Sequence, residues 1–216
     1  EYMRASGYYC TNNNKTDYQF AKDPVPASIW DECSKKAHYK NRPDKNQPFF
    51  AVFNWVGTHE SQNWDLSNVK TDPKTVKVPP YYPDNEIIRL NIAKMYDNIA
   101  TLDSVVGALI SELEKEGELD NTIIFFWGDH GDGLPRAKRW LYDSGLNIPL
   151  IIKYPGKSKA TVDNRLISSI DFGPTVLSLA DIPVPAHMQG IPFLGDQIGE
   201  PRDAVYAARD RVDESY

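Results

Sequence analysis

The chain predicts an α/β fold, with a mixed or mostly parallel sheet lying between helices. Three observations carry that expectation. Short, continuously apolar runs recur at "FFAVFNWV", "TIIFFW" and "IPLIIKY". A long segment with helical periodicity separates the first of these from the second. Turn formers and polar stretches punctuate the joins, and strands alternating with helices in this way suit a sheet covered on both faces.

Each element follows from its own residues. Phe49 to Val56, preceded by Pro48, is aromatic and β-branched and is predicted as a buried strand that ends at Gly57, with His59 just beyond it. From about Gln62 to Asp84 the chain is rich in Pro, Asp, Lys and Asn, which predicts a long irregular loop. Ile88, Ile92, Met95, Ile99, Leu102, Val106, Leu109 and Leu113 then alternate at spacings of four and three. That places one apolar stripe on a helix from about Asn85 to Lys115, stopped by Gly117 and packed on the sheet. A coiled coil has the same spacing, but Gly107 and the strand that follows disfavour it. Thr122 to Trp127 and Ile148 to Tyr154 are predicted as two further strands. "SSIDFGPTVLSLADI" predicts a helix with Asp171 as N-cap and Pro174 in the first turn. Val205 to Ala208 is predicted as one more short strand.

Bulk composition narrows the function. The chain has 216 residues, 41% of them hydrophobic and 25% charged, with a formal charge of −6. An acidic balance disfavours nucleic acid as a partner, although a local cluster of cations still suits a small anion. No run approaches the ~20 apolar residues of a transmembrane helix. Two cysteines, Cys10 and Cys33, form no disulfide framework or zinc motif, and are read as free thiols or at most one bridge.

The densest chemistry lies in "FFWGDHGDGLPRAKRWLYDSG", Phe125 to Gly145. Ligands of open α/β sheets bind beyond the carboxyl ends of strands, and Asp129 and His130 fall there. A carboxylate and an imidazole adjacent on a turn can reach one cation, with calcium, magnesium and zinc all admissible. Gly131 and Gly133 permit the chain to fold tightly around it. Arg136, Lys138 and Arg139 supply a clamp for a tetrahedral oxyanion, as phosphoryl or sulfuryl transfer requires. The plain alternative is a solvated loop in which acid and base side chains pair with one another.

"WGDHGDGLPRAKRWLYDSGLNIPLIIKYPG" resembles the sulfatases of the alkaline-phosphatase superfamily, nearest to the heparan N-sulfatase-like bacterial enzymes. The resemblance implies that Asp129 and His130 are metal ligands and that Lys138 binds sulfate. Arg136 and Arg139 have no fixed counterpart and are substrate-specific candidates. "GYYCTNNNKTDY" is similar to a second family segment and places Lys15 on the sulfate-contacting lysine, with Asp17 where the family usually has histidine. "FNWVGTHES" places His59 on the histidine that acts as general acid, although Glu60 and Ser61 replace the proline that commonly follows. His38 and His187 are expected to be structural or exposed. Arg209 and Arg211, near the carboxyl end, are candidates for binding an anionic sugar.

What the resemblance implies is a metal-assisted hydrolase of sulfate esters or sulfamates, acting on a sulfated small molecule or glycan, in the periplasm or outside the cell. The cofactors would be a divalent metal, Ca2+ foremost with Mg2+ or Zn2+ admissible, and formylglycine. The family's Cys/Ser-x-Pro/Ala-x-Arg motif and its upstream acidic pair have no match here. Residues 1–216 are therefore expected to be an internal portion of one catalytic domain, without its nucleophile region and its C-terminal part, and inactive alone. A phosphodiesterase or phosphonate hydrolase of the same superfamily is the alternative chemistry. A non-catalytic binder of acidic polysaccharide is the alternative class.

Overall fold

The structure is a computed structural model and describes residues 1–16, 18, 28–156 and 159–209. The chain divides into two compact units, residues 1–54 with 163–206 and residues 55–162 with 207–216.

In the first unit, β1 (Tyr9–Asn13) is the centre of a parallel three-stranded sheet between β2 (Glu32–Cys33) and β3 (Phe49–Phe53). The short helix α1 (Tyr2–Ala5) leads into β1. Helix α3 (Phe172–Leu179) supplies Leu177 to a core with Met3, Cys10 and Ile182, and Trp30 and Phe50 pack against it. β3 stops at Phe53, short of the predicted Val56, because its partner β1 ends at Asn13, the residue in register with Phe53.

Asp171 departs from its expected role as a side-chain N-cap of α3. Its carboxylate is 1% exposed and turns back to accept from the backbone N–H groups of Ser168 (2.8 Å) and Ile191 (2.7 Å). It also takes a two-pronged contact from Arg202, at 3.0 Å from Nε and 2.5 Å from Nη2. Burial alone would raise this carboxyl, but Arg202 and the two backbone donors outweigh it and hold it below the ordinary aspartate range. Arg202 also explains the missing strand at Val205 to Ala208. The chain is pinned at Arg202, where a lone antiparallel bridge joins Leu166, and no ladder continues beyond it.

In the second unit, α2 (Glu86–Lys115) has the predicted extent. Asn85 caps it by accepting from the Ile88 N–H at 3.1 Å, and Gly117 ends it with φ +71°, where glycine carries no Cβ penalty. Ile92 and Ala93 are buried with Val76, while Val69, Val78 and Leu134 pack against them. The helix therefore rests on the Pro-rich loop and on the 3-10 turns Glu60–Asn63 and Leu119–Asn121, not on a sheet as expected. Ile99 of the predicted stripe is 48% exposed. β4 (Ile124–Trp127) and β5 (Leu150–Lys153) form an antiparallel pair, Ile124 opposite Lys153. These strands are half-buried, not covered on both faces, and Ile151 is 65% exposed. β5 begins two residues later than predicted, since Pro149 has no N–H to give to a ladder. No helix among the described residues is long and apolar enough to cross a membrane.

Candidate functional site

The site in the second unit grows from the chain leaving β4. Gly128 still donates to the carbonyl of Pro149 (3.2 Å), and the backbone then breaks from the ladder at Asp129 and His130. His130 Nδ1 lies 2.7 Å from the carbonyl oxygen of Gly131. A carbonyl only accepts, so Nδ1 holds the proton and Nε2 presents its lone pair. Asp129 Oδ1 stands 3.6 Å from that Nε2, and both side chains are open to solvent. Two donors bound to one cation at about 2.1 to 2.4 Å stand roughly 3 to 3.7 Å apart, so the pair fits two positions of a divalent centre. Among the described residues no third carboxylate, imidazole or thiol joins them as a ligating group.

Beyond this pair the loop is drawn tight by glycines. A Cβ on Gly131 would come within 2.0 Å of the Ser144 carbonyl oxygen, and one on Gly133 within 2.5 Å of Glu60 Cβ. Gly133 therefore lets the loop lie directly against Glu60, the residue after His59. Asp132 Oδ1 accepts from Leu134 N–H (2.8 Å), and its carbonyl accepts from Lys138 N–H (2.9 Å), so the segment curls back on itself.

That curl brings Lys138 to His59, 79 residues earlier in sequence, with Nζ at 3.3 Å from Nε2. On the other side of the ring, Nδ1 accepts from the Ser61 backbone N–H at 3.3 Å and lies 2.9 Å from Ser61 Oγ. Lys138 Nζ is also 3.2 Å from Glu60 Oε1, and Arg139 Nη2 is 3.1 Å from the same oxygen. Burial alone would raise the Glu60 carboxyl. The hydrogen bonds and charge of Lys138, then of Arg139, overcome that and leave it below the ordinary glutamate range. One carboxylate thus faces two cations, and the corner keeps a net positive charge beside an imidazole nitrogen. Such a corner can hold an oxyanion and pass a proton to an atom next to it.

Arg136 is placed differently. Its guanidinium lies 5.1 Å from the centre of the Tyr81 ring and 4.3 Å from that of Tyr142. Tyr142 stacks on Trp140 at 6.2 Å, and Arg209 sits 4.2 Å over Trp140. Cations and aromatic rings therefore alternate along the outer side of this loop. Arg136 and Arg139 both have φ of +70°, a conformation that costs a non-glycine residue about 1 kcal/mol or more.

The expected residues are thus partly brought together. His59, Lys138 and Arg139 meet, and Asp129 and His130 form a second pair on the same loop. Lys15 belongs to the first unit, where it follows β1 and its carbonyl accepts from Asn12 Nδ2 (2.8 Å). Asp17 and Arg211 lie outside the described residues. His38 is structural as expected, tilted on Tyr39 and edge-on to Phe53, and His187 is exposed near the hydroxyl of Tyr2. Both cysteines are free. Glu60 is the site residue that sequence reasoning missed. An acid directly after His59, in a chain with a cationic cluster to neutralise, was the available signal.

The sulfatase family profile matches residues 2–182. An ulvan-active sulfatase of Formosa agariphila is 44% identical over 251 aligned positions, which cover 99% of this chain and 41% of that protein. An N-acetylglucosamine-6-O-sulfatase of Bacteroides thetaiotaomicron is 41% identical over 125 positions, 53% of this chain and 22% of that protein. The human N-sulphoglucosamine sulphohydrolase is 31% identical over 156 positions, 69% of this chain and 31% of that protein. The chain thus spans less than half the length of each of these relatives. The match of the family profile to most of the chain, on an α/β framework that carries the Asp129–His130 pair and the Lys138–His59 corner, makes this chain a member of the sulfatase family.

Proposed function

We propose that this chain is an internal portion of a sulfatase catalytic domain that hydrolyses sulfate esters or sulfamates on a sulfated glycan, outside the cytoplasm. The observation that carries the reading is the approach of Lys138 Nζ to His59 Nε2 at 3.3 Å, on a loop that begins with Asp129 and His130. Lys138 holds a sulfuryl oxygen through a charge-assisted hydrogen bond, and that places the bridging atom of the substrate near His59. His59 supplies the proton that the departing oxygen or nitrogen needs, from Nε2.

Glu60 keeps Lys138 and Arg139 apart and oriented, and exchanges part of their charge for the incoming anion. Asp129 Oδ1 and His130 Nε2 hold a divalent ion, which we take to be calcium. Lys15 is a sulfate-binding residue, and Arg139 and Arg211 are sugar-binding residues. When bound, the divalent ion neutralises sulfuryl charge and a formylglycine from outside these residues supplies the attacking oxygen.

The test is sulfate release from a sulfated oligosaccharide by the full-length protein, followed by ion chromatography. Lys138→Ala is expected to lower kcat/KM by about 100- to 1000-fold, the cost of losing a donor aimed at developing charge. Unchanged turnover in that variant, or faster cleavage of a phosphodiester than of any sulfate, would overturn the reading.

A further inference from the structure

We propose that Arg136 anchors a second anionic group of the glycan, on a sugar neighbouring the one whose sulfate sits at Lys138. The inference rests on the sulfatase reading of Lys138 and adds a specificity-determining contact to it.

The argument begins with what each cation of the loop already does. Lys138 and Arg139 share Glu60, so their charge is partly matched. Among the described residues no carboxylate pairs with Arg136, which is held instead by the rings of Tyr81 and Tyr142. A guanidinium bound through its flat face keeps its N–H donors, because these lie in the plane and point outward from the edge. The rings thus fix the plane of the fork and leave its donors to a ligand. Tyr142 in turn stacks on Trp140, which Arg209 covers.

The position fits a neighbouring sugar. Arg136 lies two residues from Lys138, so their Cα atoms are at most about 7 Å apart. A fork of fixed plane suits an oxyanion that can take two parallel hydrogen bonds, either a carboxylate or a second sulfate. Backbone geometry points the same way. At φ +70° glycine would be free of strain, yet the chain carries an arginine there.

The test uses the full-length protein with His59→Ala to slow turnover, and calorimetric titration with four probes. These are a monosulfated monosaccharide, a monosulfated disaccharide carrying a uronic acid, its carboxyl-reduced counterpart, and a disulfated disaccharide without a uronic acid. With Arg136 intact, at least one doubly anionic disaccharide is expected to bind about tenfold tighter than the carboxyl-reduced one, the worth of a good charged hydrogen-bond pair. If the gain belongs to the uronic acid, the anchor takes a carboxylate; if to the disulfated sugar, a sulfate. Arg136→Gln should erase the gain while leaving the monosaccharide and the carboxyl-reduced disaccharide unchanged, and Arg136→Lys should restore part of it. Tyr142→Leu leaves the charge in place and should cost the doubly anionic probe roughly threefold. Equal affinity for all disaccharides with Arg136 intact, or equal weakening of every probe by Arg136→Gln, would overturn the proposal. Lys138→Ala tells the two readings apart: if it weakens no probe, the sulfate site is wrong whatever Arg136 does.

Discussion

Asp171 and Glu60 both hold an arginine, and they do so in opposite ways. Asp171 is buried and receives four donors between 2.5 and 3.0 Å, which fills the four lone-pair sites of a carboxylate. Glu60 is contacted by Lys138 and Arg139 at 3.1 to 3.4 Å, two cations to one charge, beside a loop open to solvent. The first arrangement is closed and neutral, so it has nothing left to offer a ligand. The second is longer, looser and electropositive, so it keeps positive charge to offer an anion. Saturation, not the mere presence of an ion pair, separates scaffold from site.

Asp171→Asn is the strongest way to break this contrast. It leaves Arg202 facing a neutral amide in a buried setting, and a loss of about 3 kcal/mol of folding stability is expected by urea denaturation. Sulfate affinity should not move. A variant of normal stability would mean that the pair is not the fastening it looks to be.

Glu60→Gln sharpens the comparison from the other side. Its stability cost should be about 1 kcal/mol or less, since the partners are longer and partly solvated. Inorganic sulfate should bind the full-length protein roughly threefold tighter, because Lys138 and Arg139 lose their internal competitor. Weaker binding would instead make Glu60 indispensable as a positioner.

The two carboxyls also differ in how they answer acid. Both are held below their ordinary range in the folded protein, so each contributes stability that is present above that range and is lost as pH falls through the lowered value. Denaturation curves taken between pH 7 and pH 3 should flatten more in Asp171→Asn than in Glu60→Gln. The smallest effect concerns the thiols. Cys10 is 2% exposed, and burial with the charge of Asp31 pushes its thiol up to about 11. A thiol reagent at neutral pH should modify exposed Cys33 and spare Cys10 in the native protein, and equal labelling would mean that the core around Met3 opens.

Much of this could be read in advance where the signal is local. Helix α2 was legible because its apolar spacing, its Asn85 cap and its Gly117 stop agree with one another. The Asp129–His130 pair was legible because it follows an apolar strand directly. Asp171 was misread because its partner lies 31 residues downstream, and no local pattern separates a helix cap from a buried half of an ion pair. The meeting of His59 with Lys138 was accessible only through family resemblance, since 79 residues of sequence separate them. The stack around Arg136 escaped notice because it depends on a left-handed backbone at an arginine, which no propensity anticipates.

That backbone has a consequence for anyone who would engineer this protein. A search for stabilising substitutions ranks positions by conformational comfort, and it would choose glycine at both 136 and 139. Such a variant would melt later and recognise less. The discomfort at these two positions is therefore a better guide to what the loop is for than any feature that makes it stable.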